Sequence, residues 1–267
     1  MMRTANPALS DKTFEQFGSF AEYGDGSAER PLAAGMTLEG TATKTGMLLL
    51  LIVASAGWTW QMAMAALTPE TQTIGQGFGA VAPWMWGGLI GGLVMALVIS
   101  FKPTTAPFLA PVYALLEGLF LGAISAAFEV AYPGIVMQAV ALTFGTLGTL
   151  LFAYRTGVIR ATENFKLGVT AATGGIFLVY MASWIMGFFG VSMPFIHESG
   201  LIGIGFSVFV VIIAALNLVL DFDFIENGVE RGAPKFMEWY AAFGLLVTLV
   251  WLYIEILRLL SKLQSRN

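Results

Sequence analysis

Leu201-Ile-Gly-Ile-Gly-Phe-Ser-Val-Phe-Val-Val-Ile-Ile-Ala-Ala-Leu-Asn217-Leu-Val-Leu220 decides the fold. It carries no charge, and its polar side chains are Ser207 and Asn217. As a helix rising about 1.5 Å per residue, about 20 such residues reach about 30 Å, the thickness of a bilayer's hydrocarbon core. Six further stretches read the same way: Thr45–Leu67, Trp84–Phe101, Pro107–Val130, Ile135–Tyr154, Gly168–Phe189 and Trp239–Leu260. Turn chemistry separates them at Thr68-Pro69, Lys102-Pro103, Tyr132-Pro133-Gly134, Met193-Pro194 and Ala233-Pro234. The expected fold is therefore an all-α membrane protein of about seven transmembrane helices.

Composition agrees. Of 267 residues, 57% are hydrophobic and 11% charged, where soluble domains carry about 25% charged residues. One soluble core could not enclose so much apolar surface. The chain divides into a polar, flexible N-terminal tail (1–43), a seven-helix domain (44–262) and a short C-terminal tail (263–267). The first tail is too glycine-rich and poor in apolar residues to fold alone. With no apolar stretch behind a basic start, the first span is expected to act as an uncleaved anchor.

Lysine and arginine set the orientation. Arg3, Lys12, Arg30 and Lys44 precede the first span. Lys102 lies in the second connection, Arg155, Arg160 and Lys166 in the fourth, and Arg231 and Lys235 in the sixth. The first, third and fifth connections carry neither residue. This places the N-terminus in the cytoplasm; the plasma (inner) membrane is the expected setting. Arg258, Lys262 and Arg266 break the alternation, because they follow a seventh span that should end outside. Trp58, Trp60, Trp84, Trp86, Trp184, Trp239 and Tyr240 read as interfacial anchors. The pairs Gly87/Gly91, Gly88/Gly92 and Gly118/Gly122 read as close helix contacts.

Several functions are excluded or disfavoured. Zero cysteines leave no disulfide, thiolate metal site or cysteine nucleophile. A net charge of −4 gives no basic footprint for nucleic acid. The single histidine, His197, makes neither a zinc site nor a serine triad at membrane depth. No nucleotide-binding glycine pattern occurs. The expectation is a non-enzyme with no resident cofactor and no certain metal site.

The informative residues are ionisable groups within spans, each costly unless hydrated, protonated or paired. Glu117 lies in the middle of the third span with no cation within a turn. Asp221 and Asp223 close the sixth span, with Asn217 one turn before Asp221 on the same face. Glu255 lies late in the seventh, three residues before Arg258, its natural ion-pair partner.

Four stretches resemble the Bax inhibitor/YccA (TMBIM) family, in its bacterial branch. They are Glu117-Gly-Leu-Phe-Leu-Gly122, Pro133-Gly134 through Gln138-Ala139 and Thr143, Asp221 with Ile225, and Glu238-Trp-Tyr-Ala-Ala leading to Leu252-Tyr-Ile-Glu-Ile-Leu-Arg-Leu-Leu260. Arg3-Thr-Ala-Asn-Pro-Ala-Leu9 adds to the likeness. Order and spacing carry it over roughly residues 40–260. The resemblance implies a central last helix and a pH-sensitive calcium leak controlled by two aspartates, on helices six and seven. Asp221 takes the first position. The second falls on Thr248, which cannot ionise. Glu255, two turns on, and Asp223 are the candidate replacements, with Asn217 and Thr248 as polar support.

Two functions follow as expectations. One is a leak in which carboxylates at Asp221, Asp223, Glu255 and Glu117 pass a transient calcium ion, a hard cation that prefers oxygen. The other is a non-transporting regulator that binds a membrane-bound AAA protease or another membrane partner, with the N-terminal tail as its handle. Deleting residues 1–40 separates them.

Overall fold

The computed structural model describes residues 35–66, 74–189 and 200–266. Among these, the regular elements are helices: α1 (Leu38–Ala66), α2 (Ile74–Phe101), a 3-10 turn (Pro103–Thr105), α3 (Ala106–Ala131), α4 (Ile135–Arg155), α5 (Glu163–Phe188), α6 (Leu201–Glu230) and α7 (Met237–Gln264). All seven α-helices hold a stretch long and apolar enough to cross a membrane. Helix is the physical solution here, because lipid offers no partner for a free backbone N–H or C=O. The chain is an all-α, multi-pass membrane protein.

The described residues fall into two packed units. One holds α1, α2 and α3 together with residues 225–246; the other holds α4, α5 and the remainder of α6 and α7. In the first unit α3 packs on both α1 and α2. A side chain at Gly118 would strike the Ser55 hydroxyl and the Ile52 backbone, and one at Gly122 would strike Thr59 and Ala56. These two glycines let α1 and α3 touch backbone to backbone. Gly88, Gly91 and Gly92 likewise face α3, whereas Gly87 meets nothing and takes no part in packing. In the second unit Ile176, Val210 and Ile213 form an apolar centre, joined by Tyr180, Phe206 and Trp251.

α7 is the most enclosed span, with 61% of its most apolar window buried, against 50% for α3, 44% for α6 and 11–22% for the others.

Several boundaries differ from those expected. α1 starts at Leu38 rather than Thr45, so Lys44 belongs to its second turn and not to the tail. α2 starts at Ile74 and runs through Pro83, ahead of the expected Trp84. α6 does not end at Asp221 but continues to Glu230. Its stop is Gly232, at φ +64°. There the Gly232 and Ala233 N–H groups donate to the carbonyls of Val229 and Gly228, each at 3.0 Å. This is the glycine cap that satisfies a helix's last carbonyls, with Pro234 behind it. Tyr240 is fully buried, its ring tilted against Phe243, and is not an interfacial anchor. Trp58 and Trp84 instead pack edge to face, centroids 4.8 Å apart. His197 and the tail residues 1–34 lie outside the described residues.

Candidate functional site

α6 buries one continuous stripe: Ser207, Val210, Ala214, Asn217 and Asp221. The spacing alternates three and four residues, which keeps one helix face turned to its neighbours. Three of the five are polar, and each falls at a different depth.

Asp221 is wholly shielded, at 0% exposure. One turn before it, the Asn217 amide donates to the Thr173 hydroxyl of α5 at 2.9 Å and to the Ile213 carbonyl at 2.8 Å. Just beyond, Asp223 accepts from the Lys166 ammonium of α5 at 2.7 Å. Lys166 is 4% exposed at its side chain and Asp223 17%. Glu163, well exposed, is a weaker second partner for Lys166 at 3.6 Å. α5 delivers Lys166 because its N-cap is Thr162, whose hydroxyl accepts from the Phe165 N–H at 3.3 Å. Lys166 thereby falls in the helix's first turns, on the face towards α6.

Farther along α7, the Tyr180 hydroxyl donates to both Glu255 oxygens at 3.1 Å and accepts from Arg258 at 2.8 Å. Arg258 also donates to Glu255 Oε1 at 2.9 Å and lies over the Tyr180 ring. The expected Glu255–Arg258 pair is therefore present, with a tyrosine as its third member. Tyr180 packs edge to face on Phe206. Phe206 is fifteen residues before Asp221, about 22 Å along the helix at 1.5 Å per residue. Glu255 thus serves a different depth from Asp221.

Nearest the start of α6, Lys262 is buried and donates to the Gly203 carbonyl at 3.1 Å and the Ser207 hydroxyl at 2.8 Å. Arg258 and Lys262 each turn inward to a partner, which explains why they fit poorly into a count of loop charges. Thr248 is buried, as a position facing protein requires.

Glu117 belongs to the other unit. It is buried, bonded to the Tyr113 side chain one turn before it, and its Oε2 lies against Gly92 of α2. Among the described residues, no group of three or more His, Cys, Asp or Glu side chains is placed to hold a metal ion.

The sequence signals missed Lys166, Tyr180 and Lys262 as members of this file. Partners 55 to 78 positions away leave no local pattern. Glu238, fully buried at the first turn of α7, was noted only as part of a motif.

No curated protein and no solved structure matched the chain. The sequence profile described as Bax inhibitor 1 like matched residues 6–265, nearly the whole chain. With that match and seven helices apolar enough to cross a membrane, the chain belongs to the Bax inhibitor/TMBIM family of multi-pass membrane proteins.

Proposed function

We propose that this protein is a non-enzymatic cation leak of the plasma membrane, its N-terminus cytoplasmic, in which calcium is the cargo and carboxylates on α6 and α7 control passage. The observation that carries the reading is the polar file through the α4–α7 unit. Ser207 with Lys262, Asn217 with Thr173, Asp221, and Asp223 with Lys166 succeed one another along α6, and Tyr180 with Glu255 and Arg258 lies beside the Ser207 end. From Ser207 to Asp223 the file runs sixteen helix steps, about 24 Å at 1.5 Å per residue, most of a hydrocarbon core. Polar and ionisable groups are costly at that depth, and in membrane proteins they mark ion paths.

Asp221 supplies oxygen at the most enclosed step, the ligand chemistry a hard cation requires. Thr248 supplies a neutral oxygen donor where the family resemblance places a second aspartate. Asp223 is ion-paired with Lys166, so the two acids of α6 stand in different surroundings. A proton competes with a cation for the Asp221 carboxylate, which is the basis of pH sensitivity.

The test is calcium flux into liposomes holding purified protein, across pH, for the natural chain and Asp221→Asn. Loss of flux or of its pH response in the variant is expected. Identical flux and pH profile in both would remove Asp221 from the pathway.

A second reading, a regulator that grips a membrane-bound AAA protease by its tail, is favoured by one observation. The Met36 N–H donates to the Ala233 carbonyl at 2.7 Å, so the segment that leaves the tail is fastened to the α6–α7 connection. Because α1 begins at Leu38, the clean deletion is residues 1–34 and not 1–40. A leak survives that deletion; tail-mediated binding does not.

A further inference from the structure

Glu238 lies outside the polar file and accepts hydrogen bonds from three residues, Thr37, Lys44 and Lys235. It is 0% exposed. Its Oε1 accepts from the Thr37 N–H at 2.9 Å, the Thr37 hydroxyl at 2.8 Å and the Lys235 ammonium at 2.7 Å. Its Oε2 accepts from the Lys44 ammonium, which also lies over the Trp239 ring at 5.5 Å. Thr37 is in turn the cap of α1, its hydroxyl accepting from the Gly40 N–H at 3.0 Å. The carboxylate therefore sits at the positive end of α1 while rooted in the first turn of α7, where negative charge is favoured. Gly40 makes the room: a Cβ there would fall on the Glu238 carboxylate. Beside the cluster is a cavity of about 370 Å³ lined by Thr37, Gly40, Lys44, Lys235 and Trp239.

We propose that Glu238 is a latch that fastens the segment ahead of α1 to the start of α7, so that a pull on the N-terminal tail is transmitted to the most enclosed helix. Three of the side chains that meet here, Thr37, Lys44 and Lys235, converge on this one carboxylate, and the Met36 N–H adds a backbone bond to the Ala233 carbonyl. Met36 is shut in, 3% exposed. Opening the latch frees residues 35–37 from the α6–α7 connection and leaves the first turn of α7 without its partner.

The chain has no cysteine, so a single Met36→Cys gives an unambiguous probe. Its labelling by a soluble maleimide is compared with and without Glu238→Gln, using Val158→Cys, on the exposed α4–α5 connection, as control. Hydrogen bonds to a charged group are among the strongest in proteins, so the variant is expected to label Met36→Cys at least about tenfold faster, with the control unchanged. Gly40→Ala, which displaces the carboxylate without altering charge, is expected to act in the same direction and serves if Glu238→Gln does not fold. Transmission is read by amide exchange. Removing residues 1–37 is expected to speed exchange across Met237–Phe243. Unchanged labelling in both variants overturns the latch. Unchanged exchange after the deletion overturns its coupling to α7.

Discussion

Replacing Lys166 by methionine tests whether Asp223 depends on α5. The variant keeps the length and apolar stem of the side chain and removes the charge. Asp223 then remains largely enclosed, 17% exposed, without the ammonium that stood 2.7 Å away. Removing one partner of a buried ion pair costs about 3–5 kcal/mol. The residual exposure of Asp223 argues for the lower end, about 3 kcal/mol. Asp223→Asn should cost less, about 2 kcal/mol, because Glu163 at 3.6 Å still faces the orphaned lysine. Joining the two changes should cost no more than Lys166→Met alone, about 3 kcal/mol where simple addition gives about 5, a coupling of about 2 kcal/mol between residues in direct contact. For a chain of this size, about 3 kcal/mol corresponds to a fall of roughly 6–12 °C in Tm. Tryptophan fluorescence during heating in detergent measures it for all four proteins of the cycle. A Lys166→Met protein as stable as the natural chain, or two losses that simply add, would refute the reasoning.

Three further outcomes follow from the same geometry. Gly122→Ala forces a methyl onto Thr59 and the Ala56 carbonyl and should cost about 1–3 kcal/mol through overpacking, whereas Gly87→Ala, facing nothing, should be neutral; equal melting temperatures would contradict the α1–α3 contact. Tyr180→Phe keeps the ring under Arg258 but removes the hydroxyl between Arg258 and Glu255, and should lose about 1.5–3 kcal/mol, the value of a hydrogen bond to charged groups. No loss on thermal melting would show that the hydroxyl adds nothing. Thr248→Asp places an acid where the family resemblance expects the second aspartate, and two close carboxyl groups titrate as a pair. The pH midpoint of calcium flux should shift from that of the natural chain, and coincident profiles would dissociate position 248 from control.

The number of spans was legible because bilayer thickness imposes a length on every apolar run, and a length can be counted along the chain. The Glu255–Arg258 pair was legible for a related reason: three residues on a helix place two side chains on one face, whatever surrounds them. The glycines at 118 and 122 announced a close contact, although Gly87, with identical spacing, has none. Small residues permit an approach; only the neighbouring helix decides whether it occurs.

Asp223 shows where local reading stopped. Its cation, Lys166, is 57 positions earlier and had been counted as a loop charge that orients the protein. Nothing in either neighbourhood pairs them. The same holds for Tyr180 with Glu255 and for Lys44 with Glu238, where side chains meet only because their helices do. The chain alone thus established the solvent, the spans and the residues too costly to be idle, since these follow from composition and helix periodicity. Which of those residues stand alone, which are matched, and at what depth depended on long-range packing, because electrostatic partnership is a property of distance in space and not of separation along the chain.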